Sequence, residues 1–231
     1  MLEHGSVTAT VSGTPQGSPI SPLLANIALH VLDEEWQRSG HRFGSLIRYA
    51  DDLVVVCPTQ HRAEQARELA GQVLGRVGLR LHPDKTRIAC LTRGGGGFDF
   101  LGFHHRLVAS WKWRGRWYVH RWPSGRAMRS VRSKLRQATD RRYVGTDVSI
   151  VVAGINRVLR GWGNYFRWGN SAKKFHHIDR YVRERLAILM SNKLGLRRSR
   201  NWRRFNWEWQ QRVRVYQLSG TVRPRSAHAL R

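Results

Sequence analysis

Two adjacent carboxylates, Asp51 and Asp52, sit between two β-rich runs in a chain of 231 residues, with Leu53-Val54-Val55-Val56 as the second run. Neighbouring side chains on a regular strand point to opposite faces, but at a tight hairpin tip the two can lean toward one point in space. Such a point is strongly anionic. Held beside apolar arms it is costly unless a cation compensates, and hard oxygen ligands suit Mg²⁺, with Mn²⁺ as the alternative. A solvated, inert Asp-Asp turn has the same spacing, because Asp is a common turn residue. Spacing alone leaves both readings open.

The flanking segments must position that tip. Gly13-Thr14-Pro15-Gln16-Gly17-Ser18-Pro19 is a turn-rich loop. Ser21-Pro22 then supplies a helix cap followed by Pro at the first helical position. Leu23, Leu24, Ile27, Val31, Leu32 and Trp36 recur at helical spacing and predict a buried helix over 22–37. A hairpin is expected over 46–57 with a buried second arm, then an amphipathic helix over 60–77 that turns Ala63, Ala66, Ala70, Val73, Leu74 and Val77 inward and stops at Gly78. Short strands are expected over 79–91 and 98–103, around four glycines at 94–97. Trp111-Lys112-Trp113 and Trp117-Tyr118-Val119 read as the arms of a basic, aromatic hairpin. Helices are expected near 124–141, 147–168 and 172–194, with the domain boundary around 106–123.

Charge follows the same division. Up to Phe103 there are 10 Lys plus Arg against 10 Asp plus Glu; from His104 onward there are 31 against 5, so the whole net charge of +26 lies there. Nine of the ten tryptophans lie there too. Cations interleaved with flat rings suit a polyanion that carries bases, and Arg, which outnumbers Lys 35 to 6, binds phosphate bidentately and stacks. An Arg-rich surface without a partner is the plainer reading. Cys57 and Cys90 are too few for a disulfide framework or a thiolate zinc site, so a reducing compartment is expected. No secretory signal and no apolar run of spanning length is visible, so no membrane partner is expected.

Around the carboxylates, Arg48-Tyr49-Ala50-Asp51-Asp52 and the valine run resemble the catalytic hairpin of reverse transcriptases. Four more motifs resemble the group II intron branch of that family and stand in its order. They are Gly13-Thr14-Pro15-Gln16-Gly17 with Ile20-Ser21-Pro22-Leu23-Leu24-Ala25-Asn26; Gly78-Leu79-Arg80-Leu81 through Pro83, Lys85 and Thr86; Phe98-Asp99-Phe100-Leu101-Gly102-Phe103; and Ile155-Asn156 with Arg160-Gly161-Trp162, Asn164, Tyr165 and Phe166. The resemblance runs through nearly the whole chain. It ends with Leu218-Ser219-Gly220-Thr221-Val222, which is similar to the end of compact members without an endonuclease, and no Cys-x-x-Cys pair of an endonuclease is present.

The resemblance implies an α+β fold: a partial reverse-transcriptase palm over 1–106, with helices on an antiparallel sheet and a catalytic hairpin; a Trp-rich basic connector over 107–123; and a basic, mainly α-helical thumb or maturase domain over 124–231. The implied activity is RNA-directed DNA synthesis from deoxynucleoside triphosphates by two-metal nucleotidyl transfer, with binding of intron RNA for splicing. Asp51 and Asp52 would be the catalytic metal ligands. Gln16, Gly17, Tyr49 and Lys85 fall at the nucleotide pocket, and Leu101 and Gly102 at the primer grip. A turn-capping glutamine, a solvated lysine and a simple hairpin bend are the plainer accounts of Gln16, Lys85 and Leu101-Gly102. Ile155, Leu159, Trp162 and Phe166 form a mostly core stripe. Arg157, Arg160, Asn164 and Arg167 face elsewhere, and with Lys173, Lys174 and Arg183 they would track the phosphates of a primer-template duplex and of the intron.

Two departures qualify that reading. The family carries another metal-binding aspartate upstream of the Pro-Gln-Gly loop, residues 1–11 hold none, and Asp33 lies too far along its helix to substitute. An upstream fragment carrying the fingers and that aspartate is therefore an expected partner. Ser18-Pro19 stands where the family has glycine and an aliphatic residue. A non-catalytic RNA-binding splicing factor and a decayed fragment are the competing readings. The expected location is the cytoplasm, bacterial or organellar.

Overall fold

A computed structural model of the chain describes residues 2–3, 6–7, 19–110, 113–196 and 201–223. The chain forms two compact units, Met1–Cys90 and Leu91–Arg231. The division falls upstream of the boundary expected around 106–123 and of the change in charge at His104.

In the first unit β1 (Leu2–Glu3) and β2 (Ser6–Val7) make a short antiparallel pair, followed by α1 (Ser21–Arg38), β3 (Ser45–Tyr49), β4 (Asp52–Val56) and α2 (Gln60–Arg76). Helix α1 starts one residue earlier than expected. Ile20 already has helical angles and its carbonyl accepts the N–H groups of Leu23 and Leu24, each at 3.1 Å, so Ser21 is helical rather than a cap. Pro22 is tolerated there because first-turn N–H groups have no intrahelical acceptor. The Thr59 hydroxyl caps α2 by accepting the Arg62 N–H at 3.2 Å. Gly78 ends the α2 region with φ +73, and the Leu79 N–H closes back on the Leu74 carbonyl at 2.9 Å.

Leu29, Leu32 and Trp36 of α1 bury against Ala66, Ala70, Val73 and Leu74 of α2, with Leu46, Leu53 and Val55 of the hairpin packed beside them. Burial of α1 is thus confined to its second half. Leu23 and Ile27, expected inside, are 58% and 62% exposed, and Leu24 and Val77 are also exposed. The β4 arm is half-buried rather than buried, because helices cover only one face of a two-stranded hairpin. Residues 79–91 form no strand. The His82 carbonyl accepts from Lys85 and Thr86 in a turn around Pro83, and the arms on either side pair with no strand among the described residues.

The second unit opens with a three-stranded antiparallel sheet of β5 (Phe98–Phe100), β6 (Phe103–Ala109) and β7 (Trp117–Pro123). Its aromatic hairpin pairs Phe103 with Pro123 through Ala109 with Trp117, so the first arm is Phe103–Ala109 and not the expected 111–113. The Ser110 N–H donates to the Arg116 carbonyl at 2.8 Å, which closes the connection between the two arms. Residues 111–112 lie outside the described residues. Helices α3 (Gly125–Ala138), α4 (Val148–Phe166) and α5 (Ala172–Lys193) follow, the first two capped by Ser124 and Asp147 side chains. Two short helices, α6 (Asn201–Arg204) and α7 (Trp207–Arg212), were not anticipated.

Met128, Val131 and Leu135 of α3, Ile155, Leu159 and Phe166 of α4, and Phe175, Ile178, Val182 and Leu186 of α5 form one core, which Val215 and Leu218 close. That closing segment is tied down by polar groups. Asp179, 5% exposed, accepts the N–H groups of Leu218 at 2.9 Å and Ser219 at 2.8 Å and the Ser219 hydroxyl. Asn156 accepts the Tyr216 N–H at 2.7 Å and donates to the Arg214 carbonyl at 2.9 Å. Gly163 leaves room for Leu218, whose Cδ2 would lie 2.5 Å from a Cβ at that position.

Stranding the buried donors of this tie has a measurable cost. Asp179→Leu is expected to lower the urea-unfolding free energy by about 3 kcal/mol, and Asp179→Asn by clearly less because one acceptor oxygen survives. Equal losses for the two variants would show that the carboxylate tie is not what holds the segment.

Candidate functional site

The register of β3 and β4 pairs Tyr49 with Asp52, which leaves Ala50 and Asp51 as the two-residue turn. Ala50 takes φ +51, a conformation unfavourable for a residue with a Cβ. Tyr49, Asp51 and Asp52 are exposed at this tip, and among the described residues no side chain pairs with either carboxylate. Two uncompensated carboxylates beside an apolar hairpin are a donor set that fits a hard divalent cation.

Directly paired residues share a face, so Leu46, Arg48, Leu53 and Val55 lie on the face of the hairpin turned toward the helices. Arg48 is the polar member of that set and is only 15% exposed. Its guanidinium grips Asp33 of α1 bidentately, with Nε to Oδ1 at 3.0 Å and Nη2 to Oδ2. Its Nη1 donates to Asn26 Oδ1 of α1 and to the Ala50 carbonyl, both at 3.0 Å. One side chain therefore joins the turn to two positions on the helix. The Arg48 hydrogen bonds hold the Asp33 carboxyl below its ordinary pKa, and Asp33 in turn raises that of Arg48.

In the second unit Leu101 and Gly102 form the two-residue turn between β5 and β6, with φ +47 and +75. Positive φ at both positions is the turn geometry that matches strand twist, and glycine adopts it without steric cost. The turn is held by the Tyr165 hydroxyl, which donates to the Leu101 carbonyl at 2.8 Å, and by the Ser124 N–H, which donates to the Gly102 carbonyl at 2.9 Å. Beside it runs an open groove of about 570 Å³, lined by Ser130 and Lys134 of α3 and by Arg157, Gly161 and Tyr165 of α4.

The helical period brings Arg157, Arg160, Asn164 and Arg167 onto one side of α4, opposite Ile155, Leu159 and Phe166. Arg160 lies 4.4 Å from the Tyr216 ring centre, and Arg167 donates to Asn164 at 3.3 Å. Lys173, Lys174 and Arg183 of α5 do not join them as a cluster, since they fall on different flanks of that helix. Lys85 is exposed in the turn after α2. Gln16 and Gly17 lie outside the described residues.

In the sequence Asn26 and Asn156 figured only as members of longer motifs, Asp33 only as a rejected metal ligand, and Arg48 only as a flank of the carboxylate motif. Asn26, His30 and Asp33 recur at intervals of four and three residues on α1, a polar stripe at helical spacing that marks a face with polar work to do. The partner of that stripe could not be read from sequence, because Arg48 is fifteen residues from Asp33.

Arg48→Leu and Asp33→Asn are each expected to destabilise the first unit by about 2 kcal/mol at pH 7. A carboxyl with a depressed folded-state pKa contributes stability above its unfolded pKa and loses it as pH falls through the folded value. The gap between the natural protein and Asp33→Asn should therefore be full at neutral pH and close below about pH 4 in a pH series of urea melts. A gap that shows no narrowing as the pH falls below about 4 would exclude the ion pair as its source.

Two family models match the chain: reverse transcriptase (RNA-dependent DNA polymerase) over residues 2–105, and the group II intron maturase-specific domain over residues 128–217. Protein YkfC of Escherichia coli (strain K12) is 34% identical over 139 residues, covering 46% of this chain and 35% of YkfC. The retron Mx65 reverse transcriptase of Myxococcus xanthus is 36% identical over 81 residues, covering 35% of this chain and 18% of that enzyme. The retron Ec86 reverse transcriptase of Escherichia coli is 36% identical over 76 residues, covering 32% and 24%. The chain thus spans about a third or less of these curated relatives. With reverse-transcriptase motifs on the first unit's hairpin and maturase motifs on α4, in the order the two models match, the chain belongs to the group II intron reverse transcriptase/maturase family, as part of a reverse-transcriptase domain followed by a maturase-specific domain.

Proposed function

We propose that this chain supplies the carboxylate hairpin and the nucleic-acid-binding helices of an RNA-templated DNA polymerase that also binds its intron RNA for splicing. The carrying observation is the pair of exposed carboxylates, Asp51 and Asp52, which have no cationic partner among the described residues and sit at a tip anchored by Arg48. Mg²⁺, or Mn²⁺ in its place, would supply Lewis-acid stabilisation of the attacking 3′ oxygen and of the leaving pyrophosphate.

Asp51 and Asp52 are assigned as two of the metal ligands. Among the described residues no cluster of three or more His, Cys, Asp or Glu side chains gathers. Asn26, Asp33 and Arg48 hold the turn. Tyr49, with Gln16 and Gly17, lines the deoxynucleoside triphosphate pocket, and Lys85 offsets charge on the triphosphate. Leu101 and Gly102 bring bare backbone to the primer, supported by Tyr165. Arg157, Arg160, Asn164 and Arg167 follow the phosphates of the primer-template duplex and of the intron, while Lys173, Lys174 and Arg183, on different flanks of α5, would meet RNA apart from that row. The groove beside Gly161 suits this role, since its lining combines the cations Lys134 and Arg157 with the rings of Trp162 and Tyr165. Its location is the cytoplasm of a bacterium or the interior of an organelle. No helix among the described residues is long and apolar enough to cross a membrane.

The test is primer extension on an RNA template by the chain mixed with a polypeptide carrying the upstream part of a reverse-transcriptase domain. Asp51→Ala and Asp52→Ala should each lower the rate about a thousandfold, equivalent to several kcal/mol of lost transition-state stabilisation. Undiminished extension by Asp51→Ala would overturn the assignment of roles. In duplex binding, Arg157→Gln should reduce the slope of log affinity against log salt by about one.

A further inference from the structure

The outward face of the β5-β6-β7 sheet carries a set of side chains that the polymerase reading does not use. Residues opposed in the register share a face, which places Asp99, His104 and Trp122 in one row, Arg106 with His120 in the next, and Val108 with Tyr118 in a third. The opposite face is committed elsewhere: Phe98 stacks on His105 with ring centres 5.0 Å apart, and Phe103 meets Phe166 of α4 edge-on at 4.8 Å. On the outward face Tyr118 is 37% exposed, and His104, Arg106, His120 and Trp122 are half-buried.

Three ring-bearing residues, Tyr118, His120 and Trp122, therefore follow one another along β7 at every second position, about 7 Å apart by strand geometry. That interval is about twice the 3.4 Å rise of bases in a duplex strand. Consecutive rings thus match bases splayed apart on an extended strand and not bases stacked in a helix. Two features at one end keep the platform in shape. Asp99 Oδ1 lies 2.6 Å from His104 Nδ1, which fixes the imidazole, and that ring rests 5.3 Å from the Trp122 ring. Arg106 stands in the middle row beside His120, and Asp99, the acidic member of this face, is engaged by His104.

We infer that this face is a binding site for unpaired RNA, with the rings of Tyr118, His120 and Trp122 taking successive bases and Arg106 a bridging phosphate. It rests on the reading of the chain as an RNA-binding protein, but it uses a surface distinct from the α4 side assigned to the duplex. Stacking on rings tolerates any base, so the site binds single strands with little sequence preference.

The full chain is titrated with a fluorescein-labelled oligouridylate and, separately, with a blunt RNA duplex, following anisotropy over a range of salt. Tyr118→Ala and Trp122→Ala are each expected to weaken single-strand binding by about tenfold and to leave duplex binding within about twofold, with the salt slope unchanged. Tyr118→Phe retains the ring and should bind like the natural protein. Arg106→Gln should reduce the single-strand salt slope by about one. Should Trp122→Ala unfold the sheet through its contact with His104, the exposed Tyr118 pair of variants carries the test alone. Single-strand affinity unchanged in Tyr118→Ala overturns the inference, as does a loss that falls equally on the duplex or on heparin. Arg157→Gln separates the two readings, since it lowers duplex affinity and spares the single strand; failure of that variant alone counts against the α4 assignment and leaves the sheet-face site standing.

Discussion

A hairpin of two five-residue strands has little to hold it in water, and an exposed turn that places two anionic groups side by side has less. In the first unit the difficulty is met by one guanidinium. Arg48 points inward with Leu46, Leu53 and Val55, where a charge would be costly, and it is accommodated because Asp33 meets it with both oxygens. The remaining donor reaches both Asn26 and the Ala50 carbonyl at the turn itself. Without that bond network the left-handed Ala50 would have no external restraint, and the carboxylates beyond it would lose their fixed relation to α1. An Asp that resembled a poor metal ligand in sequence is thus the partner of an arginine, and its charge is neutralised locally instead of adding to the tip.

The second unit solves a different problem, since the whole net positive charge of the chain must be carried on elements that also have to bury a core. Helix α4 does both by its period. Ile155, Leu159 and Phe166 enter the core while Arg157, Arg160 and Asn164 stay out. The C-terminal segment then closes the core over α4 and α5, and it is held by Asp179 and Asn156 together with the burial of Val215 and Leu218. Gly161 and Gly163 serve opposite ends in the same turn, the first leaving an open groove floor and the second admitting Leu218. Asn156, which in sequence reads as part of a nucleic-acid motif, is spent on backbone.

Much of the architecture was legible because it depends on local rules. Capping residues and glycines set the ends of α2, α3 and α4 within a few residues, and the tip of the carboxylate hairpin follows from β-rich arms around a polar turn. The misses have a common cause in the need for partners. The apolar stripe of Leu23, Leu24 and Ile27 is helical as expected but exposed, because periodicity identifies an amphipathic face and not what covers it. Residues 79–91 have strand-like composition but no adjacent ladder among the described residues. The first aromatic arm is Phe103–Ala109 and not the expected 111–113 because register is decided by pairing across the whole β6–β7 length.

By itself the sequence determined which residues carry charge and chemistry, the order of the motifs, the family they belong to, and the helical period that separates the cations of α4 from its core. Those properties are local or compositional, and they survive in an unfolded chain. Only the tertiary structure decided that Arg48 belongs to Asp33, that Asp179 belongs to Leu218 and Ser219, and that Tyr118, His120 and Trp122 share a face with Arg106 and His104. The physical reason is that a buried or aligned polar group takes its partner from whatever the fold brings within hydrogen-bonding distance. That choice joins positions fifteen to forty residues apart, for which no local rule exists.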